Sequence, residues 1–570
     1  MIRFAATVFC AAVLGGTSFA SSLSPDFDKV GAMIDVSRGR VLKVDYLKGL
    51  FPKMAKFGFN GVMLYTEDTY RLGDTVKWGY LRGGYSVEDI RELKRCAEDN
   101  GIELVPCIQT LGHLENVLRW SEYREVRNGT SNLLVGEEKT YALIDKMFAF
   151  WEKAVSGGRI HIGMDEAEGF ADGKYRERHG ERDKLEVFLE HLNRVAEIAA
   201  HHGFSELIMW SDMPYKIISR THGYYDPEVK ADRSYVDRFP KNVRLCYWDY
   251  YHADRGFYER MIDGHRAMGS EPVLAGGIWT WDRFLLDNEK TIANSAAYIE
   301  AARAKNCREM WFTLWGDDGA ASIPDLALGG MFSVAELIAG RTVSPTEENC
   351  ARFREITSYD YRAMMKLGEV TRHYVDQYPE NISEKYILFD DPLSCGNYRN
   401  YLLRKNEPEH AGKWSYAATY RTAEWRDDGA AVMEDYRATL AECAKLDGVP
   451  TAARDFVRLL LGKVNCARDL HDAWRRRDRT ALERMATEDF PALLNAADMF
   501  MEAYRDDWYS TSQPFGFDFN EKRLAAVAVR VREAERRLRE YLEGKVDTIP
   551  ELDEAMNDFG RYSHSRPVKW

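Results

Sequence analysis

The sequence predicts an α/β fold, a (β/α)₈ TIM barrel followed by a mostly α-helical C-terminal domain. Three observations carry this expectation. Eight short apolar runs recur over about 280 residues, close to the about 250 typical of such a barrel. Segments of helical period fill the gaps between them. After about residue 345 the apolar runs stop, and the chain becomes rich in Arg, Glu, Ala and Leu.

The runs in order are 32–36 (AMIDV), 61–66 (GVMLYT), 103–108 (ELVPCI), 159–164 (RIHIGM), 206–210 (ELIMW), 243–248 (VRLCYW), 272–279 (PVLAGGIW) and 309–315 (EMWFTLW). Each is short and apolar on both faces, as a parallel strand enclosed by helices should be. After the first run, Leu47, Leu50, Phe51 and Met54 share one helical face. After the second, Ser86 with Asp89 three residues on forms a capping-box pattern, and Gly101 closes that helix. Helices are expected around 138–155 and from about Lys184 to near Gly203. An open doubly wound sheet is the rival fold, but no glycine-rich phosphate fingerprint follows the first strand. Past Ser344-Pro345, runs such as RLAAVAVRVREAERRLREYLEGK have helical period. The expected division is 1–20 a secretory signal, 21–343 the barrel and 344–570 the helical domain. The charged faces of that domain would cover the barrel or a second copy of the chain, so a homodimer is carried as a candidate partner.

The N-terminal leader combines Arg3, a stretch of small apolar residues and the small-x-small site Ser18-Phe19-Ala20, the pattern of an export signal. It predicts a periplasmic or extracellular protein. Phe9 stands before Cys10 where a lipidation box would want a small residue, and the apolar part is too short to span a bilayer. No later segment is long and apolar enough for a span. A net charge of −13 argues against nucleic acid as a partner, because phosphate binding needs a basic face. The nine cysteines are too thinly spread for a disulfide-built scaffold, and Cys107 and Cys246 read as small core side chains.

A barrel of this kind works at the C-terminal ends of its strands, so those residues form one set. They are Asp35-Val36-Ser37-Arg38, Tyr65-Thr66-Glu67-Asp68, Gly112-His113, Asp165-Glu166, Trp210-Ser211-Asp212, Tyr247-Trp248-Asp249, Trp279-Thr280-Trp281-Asp282 and Trp315-Gly316-Asp317-Asp318. A single acid at such a place is often a helix cap. Acids recurring together with tryptophans suit a neutral polyhydroxylated ring, with indole faces to stack on it and carboxylates to accept its hydroxyl protons.

This set resembles glycoside hydrolase family 20, the β-N-acetylhexosaminidases. HIGMDE stands where that family has His-x-Gly-Gly-Asp-Glu, with Met164 replacing the second glycine. DVSR at strand one, LGH after strand three and LWGD at strand eight extend the match, while YTEDTY and QTLGHLE look like the hexosaminidase D-like branch. The resemblance covers about residues 30–340 and implies an exo-acting, retaining hydrolase that removes terminal β-linked GlcNAc or GalNAc from a glycan or glycoconjugate. In most retaining glycosidases two carboxylates sit about 5–5.5 Å apart across the bond, but family 20 lets the substrate's acetamido group act as nucleophile. By resemblance Asp165 steadies the oxazolinium ion and Glu166 is the general acid and base. Arg38 would clamp the sugar hydroxyls O3 and O4. His113 would hydrogen-bond toward Glu166, oriented by Glu67 or Asp68. Trp210, Trp248 and Trp315 would wall the pocket, and Asp317 would accept from O4 or O6. The family's strand-seven Tyr-x-Asp is not reproduced by Trp279-Thr280-Trp281-Asp282, and Trp281 and Asp282 would take over part of its role. No cofactor and no metal are expected.

Two other readings are carried. Strand-end acids also ligate divalent metals, which would make the chain a metal-dependent TIM-barrel enzyme. No His-x-His pair follows strand one, and the many tryptophans suit a hydrated ion poorly. The other is a catalytically inactive carbohydrate-binding barrel, against which Asp165, Glu166, Arg38 and His113 all stand.

Overall fold

Every one of the eight apolar runs forms a strand. A computed structural model of the chain describes residues 24–555 except 74, 76, 220, 231–236, 373–382 and 404–428. The expected signal segment lies outside the described residues. The strands are β1 Lys29–Asp35, β2 Gly61–Tyr65, β3 Glu103–Cys107, β4 Gly158–His161, β5 Phe204–Trp210, β6 Val243–Trp248, β7 Val273–Gly277 and β8 Glu309–Leu314. They close into a barrel in sequence order, each parallel to its neighbours, with β1 pairing both β2 and β8.

Helices intervene where the period predicts them. Val44–Phe57 buries Leu47, Leu50, Phe51 and Met54 against the barrel. The Ser86 hydroxyl accepts from the Asp89 amide at 3.1 Å and the Asp89 carboxylate accepts from the Ser86 amide at 2.8 Å, so the capping box forms as read. Helices Glu138–Val155 and Lys184–His201 follow in the expected places.

The interior is filled by side chains. Met33, Met63, Val105, Cys107, Ile208, Cys246 and Trp311 pack together inside the strands. Gly31 is required there, because a Cβ on it would lie 2.1 Å from the Trp311 ring. Near the strand N-termini, Arg159 and Arg244 meet Glu309 at 2.5 and 2.6 Å, and both reach Glu206. That end is closed by paired charges, which leaves the opposite end for chemistry.

From Glu347 onward the described residues contain helices and no strand. The longest are Thr451–Arg476, Phe490–Thr511 and Phe517–Leu542. They pack as a bundle whose face meets the barrel through Arg40, which lies 4.0 Å over the Trp508 ring and pairs with Asp507 at 3.3 Å. Among the described residues no helix is long and apolar enough to cross a membrane.

Candidate active site

The two adjacent acids leave the barrel on irregular backbone. The apolar run was expected to be strand through Met164, but β4 ends at His161. Gly163, Met164 and Glu166 then take left-handed φ values of 69°, 73° and 45°. Such values are unfavourable for side-chain-bearing residues and persist where the surroundings hold them. Here the Gln109 amide oxygen accepts from the Met164 amide at 3.2 Å, and the Asp212 carboxylate accepts from the Glu166 amide at 2.9 Å.

Asp165 is buried. Its Oδ1 accepts from Gln109 at 2.8 Å, and its Oδ2 lies 3.1 Å from Nε2 of His113. Burial alone would raise its pKa, but the imidazolium and the Gln109 hydrogen bond outweigh burial and hold it at about 2. His113 is pushed up to about 10, because the pull of Asp165 exceeds the effect of burial. The glutamate differs: its side chain is 52% exposed. Partial burial and the Asp165 charge raise its pKa. Two neighbouring acids are thus driven in opposite directions, one toward a permanent carboxylate and one toward a proton donor. His113 was expected to serve Glu166; its Nε2 is closer to Asp165, with Glu166 at 3.5 Å.

Arg38 forms the other wall. It pairs with Asp35 at 3.0 Å and with Asp317 at 3.3 Å, and its guanidinium lies 4.8 Å over Trp315 and 5.0 Å over Tyr65. Partial burial raises the Asp317 pKa despite Arg38. Glu67 is buried at the strand-two end, and desolvation lifts it to about 7 while Arg38 pulls the other way.

The aromatic walls come together as read. Trp210 lies 6.0 Å from Trp315, and its buried indole N–H has no partner among the described residues. Trp248 stacks on Tyr250 at 5.4 Å, and Trp281 meets the same ring edge-on at 5.4 Å. Asp282 sits in the mouth with φ 60°, its amide donating to the Asp317 carbonyl at 3.2 Å.

Two expected binding residues are placed otherwise. Asp68 is buried and its carboxylate accepts from Arg82 at 3.0 Å, an arginine that also reaches Glu67 at 3.8 Å. Trp279 is buried behind Trp281, ring to ring at 4.0 Å, with its N–H donated to the Tyr250 carbonyl at 3.1 Å. Both are supports. Four participants had been given no role: Tyr65 and Asp212 stand in the strand-end set, and Gln109 and Tyr251 lie outside it. Gln109 and Tyr65 are bonded to each other at 2.9 Å under Asp165. Asp212 is fully buried beside the acids and raised to about 7 by burial and by Asp165, despite Lys216. The Tyr251 hydroxyl is raised by burial and by Glu166, Asp317 and Asp282, which places it among the site's acids. Gln109 falls two residues past the end of β3, so that position is the signal that could have found it. Among the described residues no group of three His, Cys, Asp or Glu side chains is arranged to hold a metal ion.

The fold and site define a (β/α)₈ barrel with an acid pair, an imidazole and a cluster of indoles at its C-terminal mouth. The resemblance to glycoside hydrolase family 20 and its hexosaminidase D-like branch is borne out by comparison. Residues 360–568 match the family model of the Glycoside Hydrolase 20C C-terminal domain. A stretch of 221 residues, 37% of this chain, is 28% identical to Hexosaminidase D of Bos taurus and of Homo sapiens. It spans 60% of the bovine protein and 43% of the human one. A solved β-N-acetylhexosaminidase from Bacteroides fragilis is 20% identical, with TM-score 0.42 over 55% of this chain and 65% of that one.

Proposed function

We propose that the protein is an exo-acting β-N-acetylhexosaminidase, releasing terminal GlcNAc or GalNAc with retention through an oxazolinium intermediate. The observation that carries this is the split between Asp165, buried and held ionised at about 2, and Glu166, exposed and shifted toward protonation. In the first step the acetamido carbonyl oxygen attacks C1. The C1–O bond breaks as Glu166 donates its proton to the leaving oxygen. The positive charge left on the acetamido group is balanced by Asp165, which accepts its N–H. In the second step Glu166 takes a proton from water, whose oxygen attacks C1 and reopens the oxazolinium. The nucleophile is part of the substrate and already oriented, which gives it a high effective concentration. Arg38 and Asp317 would hold ring hydroxyls, and Trp210, Trp248, Trp281 and Trp315 the ring and acetamido faces. The leader of residues 1–20 supports export.

The test is a panel of aryl N-acetyl-β-glucosaminides and galactosaminides beside the plain aryl β-glucoside. Turnover of the acetamido sugars alone, with strong inhibition by a thiazoline analogue, is expected. Brisk hydrolysis of the plain glucoside, or a glycosyl ester trapped on an Asp or Glu, would falsify the mechanism.

A further inference from the structure

The turn that follows Asp317 is unusual. Asp318, Gly319 and Ala320 have φ values of 62°, 82° and 49°, three left-handed residues in succession of which only one is glycine. A run of this kind does not hold itself. Besides the Ala320 amide, which donates to the Gly316 carbonyl at 2.8 Å, its partners come from the helical domain. Arg523 forks onto the Asp318 carboxylate at 3.0 and 3.2 Å and also donates to the Asp318 carbonyl at 3.3 Å. Lys385 donates to the same carboxylate. Asn520 donates to the Gly319 carbonyl at 2.8 Å, and the Tyr504 hydroxyl to that of Ala321 at 3.0 Å. Asp318, Lys385 and Arg523 have side chains only 8%, 2% and 6% exposed, so this is a desolvated charge cluster rather than a surface pair.

The same domain grips two neighbouring loops. After β1, Arg40 pairs with Asp507, and Gly39 and Gly516 approach so closely that a Cβ on Gly516 would lie 1.7 Å from the Gly39 carbonyl oxygen. After β7, buried Glu384 accepts from the amides of Phe284 and Leu285 at 2.5 and 3.3 Å. These loops carry Arg38, Asp282 and Asp317, the polar groups on the side of the mouth away from Glu166.

We propose that the helical domain is a positioning element for sugar recognition: Arg523 and Lys385, acting through Asp318, hold Asp317 against Arg38 in the geometry that clamps the ring hydroxyls. Neither cation touches substrate. Both are paired before substrate arrives, so the clamp is preorganised. Asp318 keeps Lys385 when Arg523 is removed, so the Arg523→Met variant leaves no buried carboxylate wholly unpaired. Arg523→Lys is the conservative partner, keeping the charge and losing the fork.

This inference rests on the hexosaminidase reading for its kinetic arm, and a structural arm separates the two. With an aryl N-acetyl-β-hexosaminide, Arg523→Met should raise KM about 10-fold with kcat within about 2-fold, the pattern of lost ground-state binding. Arg523→Lys should fall between it and wild type. In an Asp317→Asn background, where the clamp is already damaged, Arg523→Met should add little further loss. A crystal structure of Arg523→Met should show the Arg38–Asp317 pair opened beyond its 3.3 Å. An unchanged KM, full additivity with Asp317→Asn, or an intact Arg38–Asp317 pair would overturn the proposal. If wild type turns over no N-acetylhexosaminide, the hexosaminidase reading falls, and the Arg38–Asp317 separation in the variant still decides whether Arg523 positions it.

Discussion

Replacing His113 by Gln removes the imidazolium that lies between Asp165 and Glu166, and the consequences can be worked from the site. Asp165 is held at about 2 instead of 3.8, which at about 1.4 kcal/mol per pH unit corresponds to about 2 kcal/mol. The rise of His113 from 6.5 to about 10 implies a larger figure. The smaller is used because the imidazole also feels Glu67, and the two titrations are linked. The sign follows from linkage. His113 has a folded pKa above its unfolded one, so its stabilisation is complete below about 6.5 and disappears as pH rises through about 10. The Asp165 contribution is complete above 3.8 and is lost as pH falls toward 2. Urea unfolding between pH 6.5 and 10 should therefore show wild type losing at least about 2 kcal/mol more than His113→Gln. In the kinetics, losing the cation lets burial raise Asp165, and it also raises Glu166. Both limbs of the kcat/KM profile should move to higher pH, the acid limb by at least about 1 unit. Equal unfolding slopes, or a lowered rate with both limbs in place, would mean that His113 only fills space.

Two further variants probe the acids and the clamp. Glu166→Gln should cost about 10²–10⁴-fold in kcat on substrates with poor leaving groups and much less on activated aryl glycosides, with little change in Tm because the side chain is half exposed; equal losses across leaving groups would refute the general-acid role. Arg38→Lys keeps the charge but gives up the fork and the planar face over Trp315, so KM should rise about 10-fold with kcat nearly unchanged, and a wild-type KM would show that Arg38 does not bind the sugar.

The barrel was legible because its strands are buried on both faces and several of its helices carry their own N-caps, at Ser86, Asp183, Asp254 and Asp287. The positions of Asp165, Glu166, Arg38 and the indoles were legible because a barrel gathers its strand ends. What periodicity could not carry is partner choice across the sequence. Asp68 looks like its neighbour Glu67 until Arg82, fourteen residues on, hydrogen-bonds its carboxylate at 3.0 Å while reaching Glu67 only at 3.8 Å. Trp279 looks like Trp281 until its N–H is seen to be used by Tyr250. The contacts of Arg523 and Lys385 with Asp318 join residues 205 and 67 positions apart, and no local pattern signals them.

The backbone explains how two consecutive acids can serve one reaction. On a strand, successive side chains point to opposite faces, so an acid pair there would put one member in the pocket and the other outside it. Because β4 stops at His161, that alternation has ended before Asp165. The positive φ at Met164 and Glu166 redirects the chain, and His113 then reaches both carboxylates from one nitrogen. The turn brings the acids to one side while leaving their environments different, Asp165 buried and bonded to Gln109 and Glu166 at the solvent edge. Neither occupies an opposite wall from which a carboxylate could attack a sugar held between them. With both acids on one side, they suit a substrate that brings its own nucleophile.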